Sequence, residues 1–181
     1  MIVDERRTVG SMTPTRLLRD LAGATLEWSE DGFLSRSSTM RVGEQVVARL
    51  EHGRSRRSPA RLETLAGAWR IHFVSWWNRQ VVVEPERERG PSVRYEGHWL
   101  GRGTVETSGD HDAQWRPTGF LRSPWCLLRD DEVLMRFDIL FSPLRPKARL
   151  VIGQAAARWP ELDPLVGLGW YLLLKGRRGA H

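Results

Sequence analysis

The segment from Leu165 to Leu174, near the end of the chain, contains no charged side chain. Apolar groups occupy every face of a helical wheel drawn over it, so a helix here has no polar side to turn toward water. The segment is also too short to cross a bilayer, because a membrane-spanning helix needs about 20 residues. A helix of this kind must therefore be enclosed by other parts of the protein.

Most of the preceding chain consists of short runs in which apolar and polar residues alternate, as is typical of β-strands. One such run places Ala148, Leu150 and Ile152 on one face. The longest run places five apolar residues on one face: Val133, Met135, Phe137, Ile139 and Phe141. We count roughly ten to twelve runs joined by turns, and closing such a sheet on itself removes its exposed edges. The sequence therefore predicts a mostly β fold, a closed antiparallel β-barrel that encloses a hydrophobic C-terminal α-helix.

The length of 181 residues suits one domain with an N-terminal extension. Residues 1–23 are predicted to hold a short amphipathic helix from Thr13 to Leu21, with Thr13 as N-cap. The barrel is expected over residues 24–174, with its central helix at about 160–174, and residues 175–181 form a basic tail. In that helix Pro164 is tolerated only in the first turn.

Two glycines interrupt the apolar helix, at Gly167 and Gly169. Each lowers the helix propensity of an isolated peptide. Inside a barrel, however, a missing side chain provides clearance where a strand passes close to the helix. We therefore expect both glycines to face the barrel wall.

The chain is basic, with a formal net charge of +6 and an isoelectric point near 10.6. The densest basic loop holds Arg54, Arg56 and Arg57, and Arg61 follows it. Guanidinium groups bind phosphate oxygens in a bidentate manner, which makes these four residues the candidate anion-binding site. The alternative is a solvated turn in an arginine-rich protein. The neighbouring Trp76-Trp77 pair is expected to expose one ring, as a membrane anchor, a nucleic-acid stacking platform or a protein contact.

Signatures of catalysis and of metal binding are weak. The sequence contains no nucleophile elbow, phosphate loop or dinucleotide fingerprint, and no histidine has metal-ligand spacing to another histidine or to the cysteine. Asp110-His111-Asp112 is expected to be a solvated loop, with a metal or acid–base site as the alternative. Asp130-Asp131-Glu132 is expected to form a β-turn, and Cys126 a buried small hydrophobe. We therefore expect no enzyme activity, no metal and no cofactor.

Four short segments, in this order, carry a family resemblance: Asp31-Gly32-Phe33, Val47-Ala48-Arg49-Leu50, Arg61-Leu62-Glu63 before Gly67-Ala68-Trp69, and Trp159-Pro160-Glu161-Leu162 leading to Leu172-Leu173-Leu174. From about residue 24 to 174 the chain resembles the Tubby C-terminal-like fold, in its LURP-one-related and scramblase-like branch. The resemblance implies a twelve-stranded barrel around the helix. It also implies phosphoinositide binding, membrane association or protein scaffolding without catalysis.

The functional expectation is a non-catalytic barrel that binds an anionic ligand or partner, either a phospholipid headgroup or a protein. A single cysteine and a polar N-terminal sequence indicate a cytoplasmic location. The barrel-and-helix pattern and the basic loop suggest transient contact with a membrane surface. A nucleic-acid-binding module is the first alternative, suggested only by charge and aromatic content. A small-ligand-binding protein or enzyme is the second, disfavoured because the helix fills the lumen.

Overall fold

A computed structural model describes residues 13–32, 35–53, 58–75, 79–87, 89–98, 101–109, 111–119, 124–140, 142 and 145–178. The described strands are, in chain order, β1 (Thr25–Glu30), β2 (Ser37–Val42), β3 (Gln45–Glu51), β4 (Ala60–Thr64), β5 (Gly67–Ser75), β6 (Gln80–Pro85), β7 (Val93–Gly97), β8 (Gly103–Thr107), β9 (Ala113–Pro117), β10 (Trp125–Arg129), β11 (Glu132–Leu140) and β12 (Lys147–Ile152). Within these ranges one α-helix, α1 (Leu162–Arg178), follows the strands.

The strands form one closed antiparallel barrel. Each strand pairs with the next along the chain, and β1 closes the ring by pairing with β12, from Thr25 opposite Val151 to Ser29 opposite Lys147. The period-two alternation explains the wall, because every second side chain points into the lumen. On β1, for example, Leu26 and Trp28 are completely buried. The predicted fold class is confirmed.

Helix α1 fills the lumen. Its side chains from Leu165 to Leu174 are buried or half-buried, and the Trp170 ring lies parallel to that of Trp28, with centroids 5.6 Å apart. Because the helix begins at Leu162, Pro164 lies in its first turn, as required. The helix continues to Arg178, so the cationic residues that follow Leu174 extend it rather than form a separate tail.

The two helix glycines face the wall as predicted. A Cβ atom placed on Gly167 would lie 2.5 Å from Cδ2 of Leu62, and one placed on Gly169 would lie 2.7 Å from Cε2 of Phe137. Leu62 and Phe137 are both completely buried. The glycines therefore let the helix approach strands β4 and β11 closely, and a larger residue at either position would require Leu62 or Phe137 to shift.

The predicted helix from Thr13 to Leu21 does not form. Only Leu18–Leu21 make a 3-10 turn, and no side chain caps it. The segment before it is held against the barrel, because both the backbone nitrogen and Oγ1 of Thr15 donate to the carbonyl oxygen of Val46, at 3.1 and 3.3 Å. Contacts with β3 thus override the local helical pattern.

The predicted alternation from Val133 to Phe141 is wrong at Val133. A bulge shifts the register between β10 and β11, where Leu127 lies opposite Met135 but Leu128 lies opposite Val133. Val133 is consequently 43 % exposed. Ile139 lies on the predicted inner face, because it pairs with the buried Ala148 and lines a crevice with Trp170 and Leu173, and it is 44 % exposed because it is near the end of β11. Phe141 lies outside the described residues.

Two buried carboxylates attach the beginning of α1 to the wall. Oδ1 of Asp163 accepts a hydrogen bond from Oγ1 of Thr64 at 2.5 Å, at the end of β4. Oε1 of Glu161 accepts one from Oγ of Ser108 at 3.0 Å, just after β8. Burial raises the pKa of Asp163, because the ionised carboxyl loses its hydration, although the Thr64 hydrogen bond acts in the opposite direction.

Replacing Asp163 with asparagine is expected to stabilise the protein at neutral pH. The amide oxygen can still accept the Thr64 hydrogen bond, while the cost of burying a charge disappears. Because the pKa of Asp163 is higher in the folded protein than in the unfolded chain, the carboxyl contributes to stability in acid. This contribution is lost as the pH rises from the ordinary pKa of 3.8 through the raised pKa.

Urea unfolding of both proteins at pH 4 and pH 7 tests this expectation, which requires the larger gain for Asp163→Asn at pH 7. The exposed Asp112 provides a matched control, because Asp112→Asn should change stability by less than about 0.5 kcal/mol. A gain in the stability of Asp163→Asn that is seen only at pH 4 would contradict a raised pKa of Asp163.

Candidate anion-binding site

Connections between successive antiparallel strands alternate between the two ends of the barrel. The β4 end contacts the beginning of α1, through Thr64 and Asp163. The β5 end contacts the last turns of α1, where Phe73 lies beside Tyr171 and Lys175. Six connections therefore share the end at which α1 terminates, and we name this end the basic rim. They are β1–β2, β3–β4, β5–β6, β7–β8, β9–β10 and β11–β12. The connections β2–β3, β4–β5, β6–β7, β8–β9 and β10–β11 share the other end, the acidic rim.

The two rims differ sharply in the charge of their sequences. The connections of the basic rim contain the single acidic residue Asp31 and the arginines Arg36, Arg54, Arg56, Arg57, Arg79, Arg102, Arg122 and Arg145. The connections of the acidic rim contain the arginines Arg87 and Arg89 and the acidic residues Glu44, Glu86, Glu88, Asp110, Asp112, Asp130 and Asp131. Among the described residues, these connections carry four arginines and one acidic residue at the basic rim, and two arginines and five acidic residues at the acidic rim, so the two sets of connections have opposite net charge.

Four arginines of the basic rim lie within the described part of the chain, and all are exposed: Arg36, Arg79, Arg102 and Arg145. None of the four forms an ion pair with a described carboxylate. The carboxylate of Asp31 is engaged by hydroxyl groups of its own hairpin, including Oγ1 of Thr39 at 2.8 Å. The guanidinium groups are therefore open to an external anion.

Two lysines complete the charge at this end but already have contacts. Nζ of Lys147 lies 3.4 Å from Oε1 of Glu27. Nζ of Lys175 lies 5.6 and 5.3 Å from the ring centroids of Phe73 and Tyr171, within cation–π range. Burial raises the pKa of Tyr171 to about 12, so this ring stays neutral. Lys175 also offsets the partial negative charge at the end of α1.

Of the four predicted site residues, Arg54, Arg56 and Arg57 lie outside the described residues, as do Trp76 and Trp77. The strand ends that flank the first three, Glu51 and Ala60, belong to the basic rim. Sequence reasoning found this one connection but missed Arg36, Arg79, Arg102 and Arg145. The signal that could have found them is the presence of arginine in alternate connections.

The structure places Arg61 on the barrel wall rather than in a free loop. Its guanidinium contacts Oε1 of Glu86 at 2.8 Å and Oε2 of Glu63 at 2.9 Å. The hydrogen bond to Glu86 is the largest cause of the raised pKa of Arg61. Arg61 therefore has two internal carboxylate partners that an external anion would have to displace.

The acidic rim shows local structure at the positions considered for metals. Asp130 and Asp131 form the two-residue turn between β10 and β11, with φ of 48° and 64°, which confirms the predicted turn. Nδ1 of His111 accepts a hydrogen bond from Arg129 at 3.1 Å, and its ring stacks on Trp159. Across the described ranges, no group of three or more histidine, cysteine, aspartate or glutamate side chains could hold a metal ion.

Among the described residues, the crevice beside the central helix is small, whereas a depression of about 250 Å³ lies on the outer wall formed by β6, β7 and β8 and is lined by Val82, Glu84 and Arg94 among others. A crevice of about 10 Å³, lined by Ile139, Trp170 and Leu173 among others, has room for about one water molecule. Cys126 is buried as predicted, at 1 % exposure, and burial raises the pKa of its thiol. A protonated, inaccessible thiol is a poor nucleophile.

No helix in the described part of the chain combines the length and the apolar character that a bilayer crossing requires. Comparison of the chain with protein-family models, with curated proteins and with solved structures finds no match in any of the three. The resemblance to the Tubby C-terminal-like fold therefore stays a prediction, and what is established is the twelve-stranded barrel closed around its C-terminal helix.

Proposed function

We propose that this chain is a non-catalytic, cytoplasmic barrel module that binds an anionic partner through its basic rim. The observation that carries the proposal is the segregation of charge between the two rims. Exposed guanidinium groups around one barrel mouth produce a local positive field that attracts anions and speeds their encounter. A positive net charge spread evenly over the surface would not attract anions to one end of the barrel.

The chemistry of the rim favours a partner that presents many anionic oxygens. Arg36, Arg79, Arg102 and Arg145 belong to four different connections, so they extend around the mouth instead of converging on one point. Each guanidinium can bind phosphate or carboxylate oxygens through two parallel hydrogen bonds. A polyanionic surface satisfies several of them at once, whereas a single small anion reaches only one.

The filled lumen and the buried thiol support a binding role over an enzymatic one. The apolar helix excludes substrate from the space in which barrel proteins often hold ligands. The described part of the rim displays four exposed arginines. We therefore place function at the rim surface rather than inside the barrel.

A charge-reversal experiment tests the proposal. The rim variant replaces Arg36, Arg79, Arg102 and Arg145 with glutamate, and the control variant makes the same change at exposed arginines elsewhere: Arg70, Arg94, Arg149 and Arg158. Both variants change the net charge equally. Binding is measured to phosphatidylcholine vesicles with and without phosphatidylglycerol, and to a single-stranded oligonucleotide, across a salt series.

We expect the wild-type protein to bind at least one polyanion at low salt. The rim variant should bind on the order of 100-fold more weakly or worse, because each basic residue near an anionic surface contributes about 1 kcal/mol. The control variant should keep most of its affinity. Equal losses in both variants, or no binding of the wild-type protein, would overturn the proposal.

A further inference from the structure

Large hydrophobic side chains are exposed near both ends of the barrel. Within the described ranges they are Val74 at 56 %, Leu65 at 50 %, Ile139 at 44 % and Val133 at 43 %. Val74 and Ile139 lie near the basic rim, whereas Leu65 and Val133 lie at the acidic rim. Each end of the barrel thus presents one pair of apolar groups to solvent.

Both pairs belong to the same two strands. Strands β5 and β11 have nine residues each and are the longest of the twelve. Leu65 lies in the turn just before β5 and Val74 near the end of that strand, while Val133 and Ile139 lie near the two ends of β11.

The ring arrangement relates one pair to the other. Strands β5 and β11 lie half-way around the ring from each other, and six antiparallel steps between them make them run in the same direction. Strands of a closed barrel tilt by a common angle relative to its axis. One rotation about that axis therefore brings the apolar pair of one end over the apolar pair of the opposite end of a second copy.

The charges of the two rims match in the same arrangement. Among the described connections, four arginines and one acidic residue give the basic rim a net charge of +3, and two arginines and five acidic residues give the acidic rim a net charge of −3. Contact between two like rims would place like charges together, which is unfavourable. Contact between unlike rims places opposite charges together, so the complement of each rim is already present on another copy of this chain.

The carboxylates of the acidic rim are accessible to such a partner. The side chains of Asp130 and Asp131 are 94 % and 90 % exposed, although they lie 3.7 Å from Arg129 and 2.9 Å from Arg116. Ion pairs this exposed contribute little to stability, so a guanidinium from a second copy can replace the internal partner at low cost. Glu44 is also exposed, and its carboxylate forms no ion pair with a described residue.

The size of the barrel end determines the strength of the contact. Twelve strands spaced about 4.8 Å apart and tilted by about 40° give a ring with a radius of about 12 Å. Two such ends that meet cover about 900 Å² in total, which is below the roughly 1,200 Å² of a stable complex. The contact is therefore sufficient for reversible association and not for a permanent oligomer.

We infer that copies of this chain associate head to tail, with the basic rim of one barrel in contact with the acidic rim of the next. This inference rests on the proposed function of the basic rim as an anion-binding surface, and it names the partner of that surface. Because the two surfaces lie at opposite ends, every added copy leaves one free rim of each kind. Association consequently produces open linear stacks instead of a closed dimer.

Sedimentation velocity of the full chain tests the association. At low salt, the mean mass of the wild-type protein should rise with concentration and pass that of a dimer without a plateau. It should return to the monomer mass at about 0.5 M salt, where charges are screened within about 4 Å. The rim variant should associate about tenfold more weakly or less, because it juxtaposes like charges, and the control variant should associate as wild type does. Circular dichroism verifies that both variants fold.

Three results would overturn the inference: a wild-type protein that stays monomeric, a plateau at the dimer mass, or equal association of the rim and control variants. Binding of vesicles or of the oligonucleotide by a protein that stays monomeric would overturn it and leave the proposed anion-binding function intact.

Cross-linking reports which ends meet. One protein carries Val74→Cys at the basic end, and a second carries Leu65→Cys and Val133→Cys at the acidic end, each in a Cys126→Ala background. With a short bismaleimide at low salt, the mixture should give a dimer that contains one copy of each protein, and neither protein alone should give a dimer. Dimers of either protein alone in the same yield, or no mixed dimer, would contradict head-to-tail contact.

Discussion

Replacing Gly169 with valine is expected to lower the free energy of unfolding by about 3 kcal/mol. The new Cβ would overlap the ring of Phe137, which is completely buried and packs edge-on against Trp115 with centroids 5.5 Å apart. Because the Phe137 ring is buried against Trp115, we expect the strand or the helix to shift. Urea unfolding monitored by circular dichroism measures the loss.

Gly176 provides the matched control in the same helix. A Cβ atom placed on it would meet no atom within 4 Å. Gly176→Ala should therefore stabilise the protein slightly, by up to about 1 kcal/mol, because alanine has the higher helix propensity. A lower free energy of unfolding for Gly169→Val and a higher one for Gly176→Ala would show that Gly169 is required for packing. A near-neutral Gly169→Val would mean that the helix is not held against β11 in solution.

Replacing Trp170 with alanine should destabilise the protein by about 3–5 kcal/mol. Its ring is 1 % exposed and lies parallel to that of Trp28 inside the barrel. Removing the indole leaves a cavity between α1 and β1 that the closed wall cannot collapse to fill. The shift in the urea midpoint at an unchanged slope measures this effect.

Trp170→Phe separates the packing of the ring from the chemistry of its nitrogen. Within the described residues, neither Nε1 of Trp170 nor Nε1 of Trp28 has a hydrogen-bond partner. An unsatisfied buried donor carries a desolvation cost, and phenylalanine removes it while keeping an aromatic ring in the stack. The loss should therefore be clearly smaller than for alanine. If Trp170→Ala and Trp170→Phe lower the free energy of unfolding equally, Nε1 makes a stabilising interaction in solution.

Predictions based on local patterns were reliable wherever tertiary contacts did not compete with them. The twofold alternation and the apolar C-terminal segment together predicted the barrel and its central helix. The turn at Asp130-Asp131 and the wall-facing Gly169 were also predicted. The failures occur where distant segments meet, since β3 holds Thr15 extended and a bulge opposite β10 turns Val133 outward.

The candidate site was only partly predictable for the same reason. The loop around Arg54 is visible in the sequence because its arginines are neighbours in the chain. Arg36, Arg102 and Arg145 are isolated in the sequence and come to the same barrel end only through antiparallel closure. Arg61 belonged to the predicted cluster, but cross-strand geometry gives it two carboxylate partners.

The sequence by itself determined the architecture of this protein, because strand alternation and an all-apolar helix are local properties that only enclosure can satisfy. Tertiary structure alone decided which connections share an end, which glycine touches which ring, and which cations are paired. Those outcomes depend on strand pairing and register between residues far apart in the chain. The separation of a basic rim from an acidic rim is therefore a property of the closed barrel.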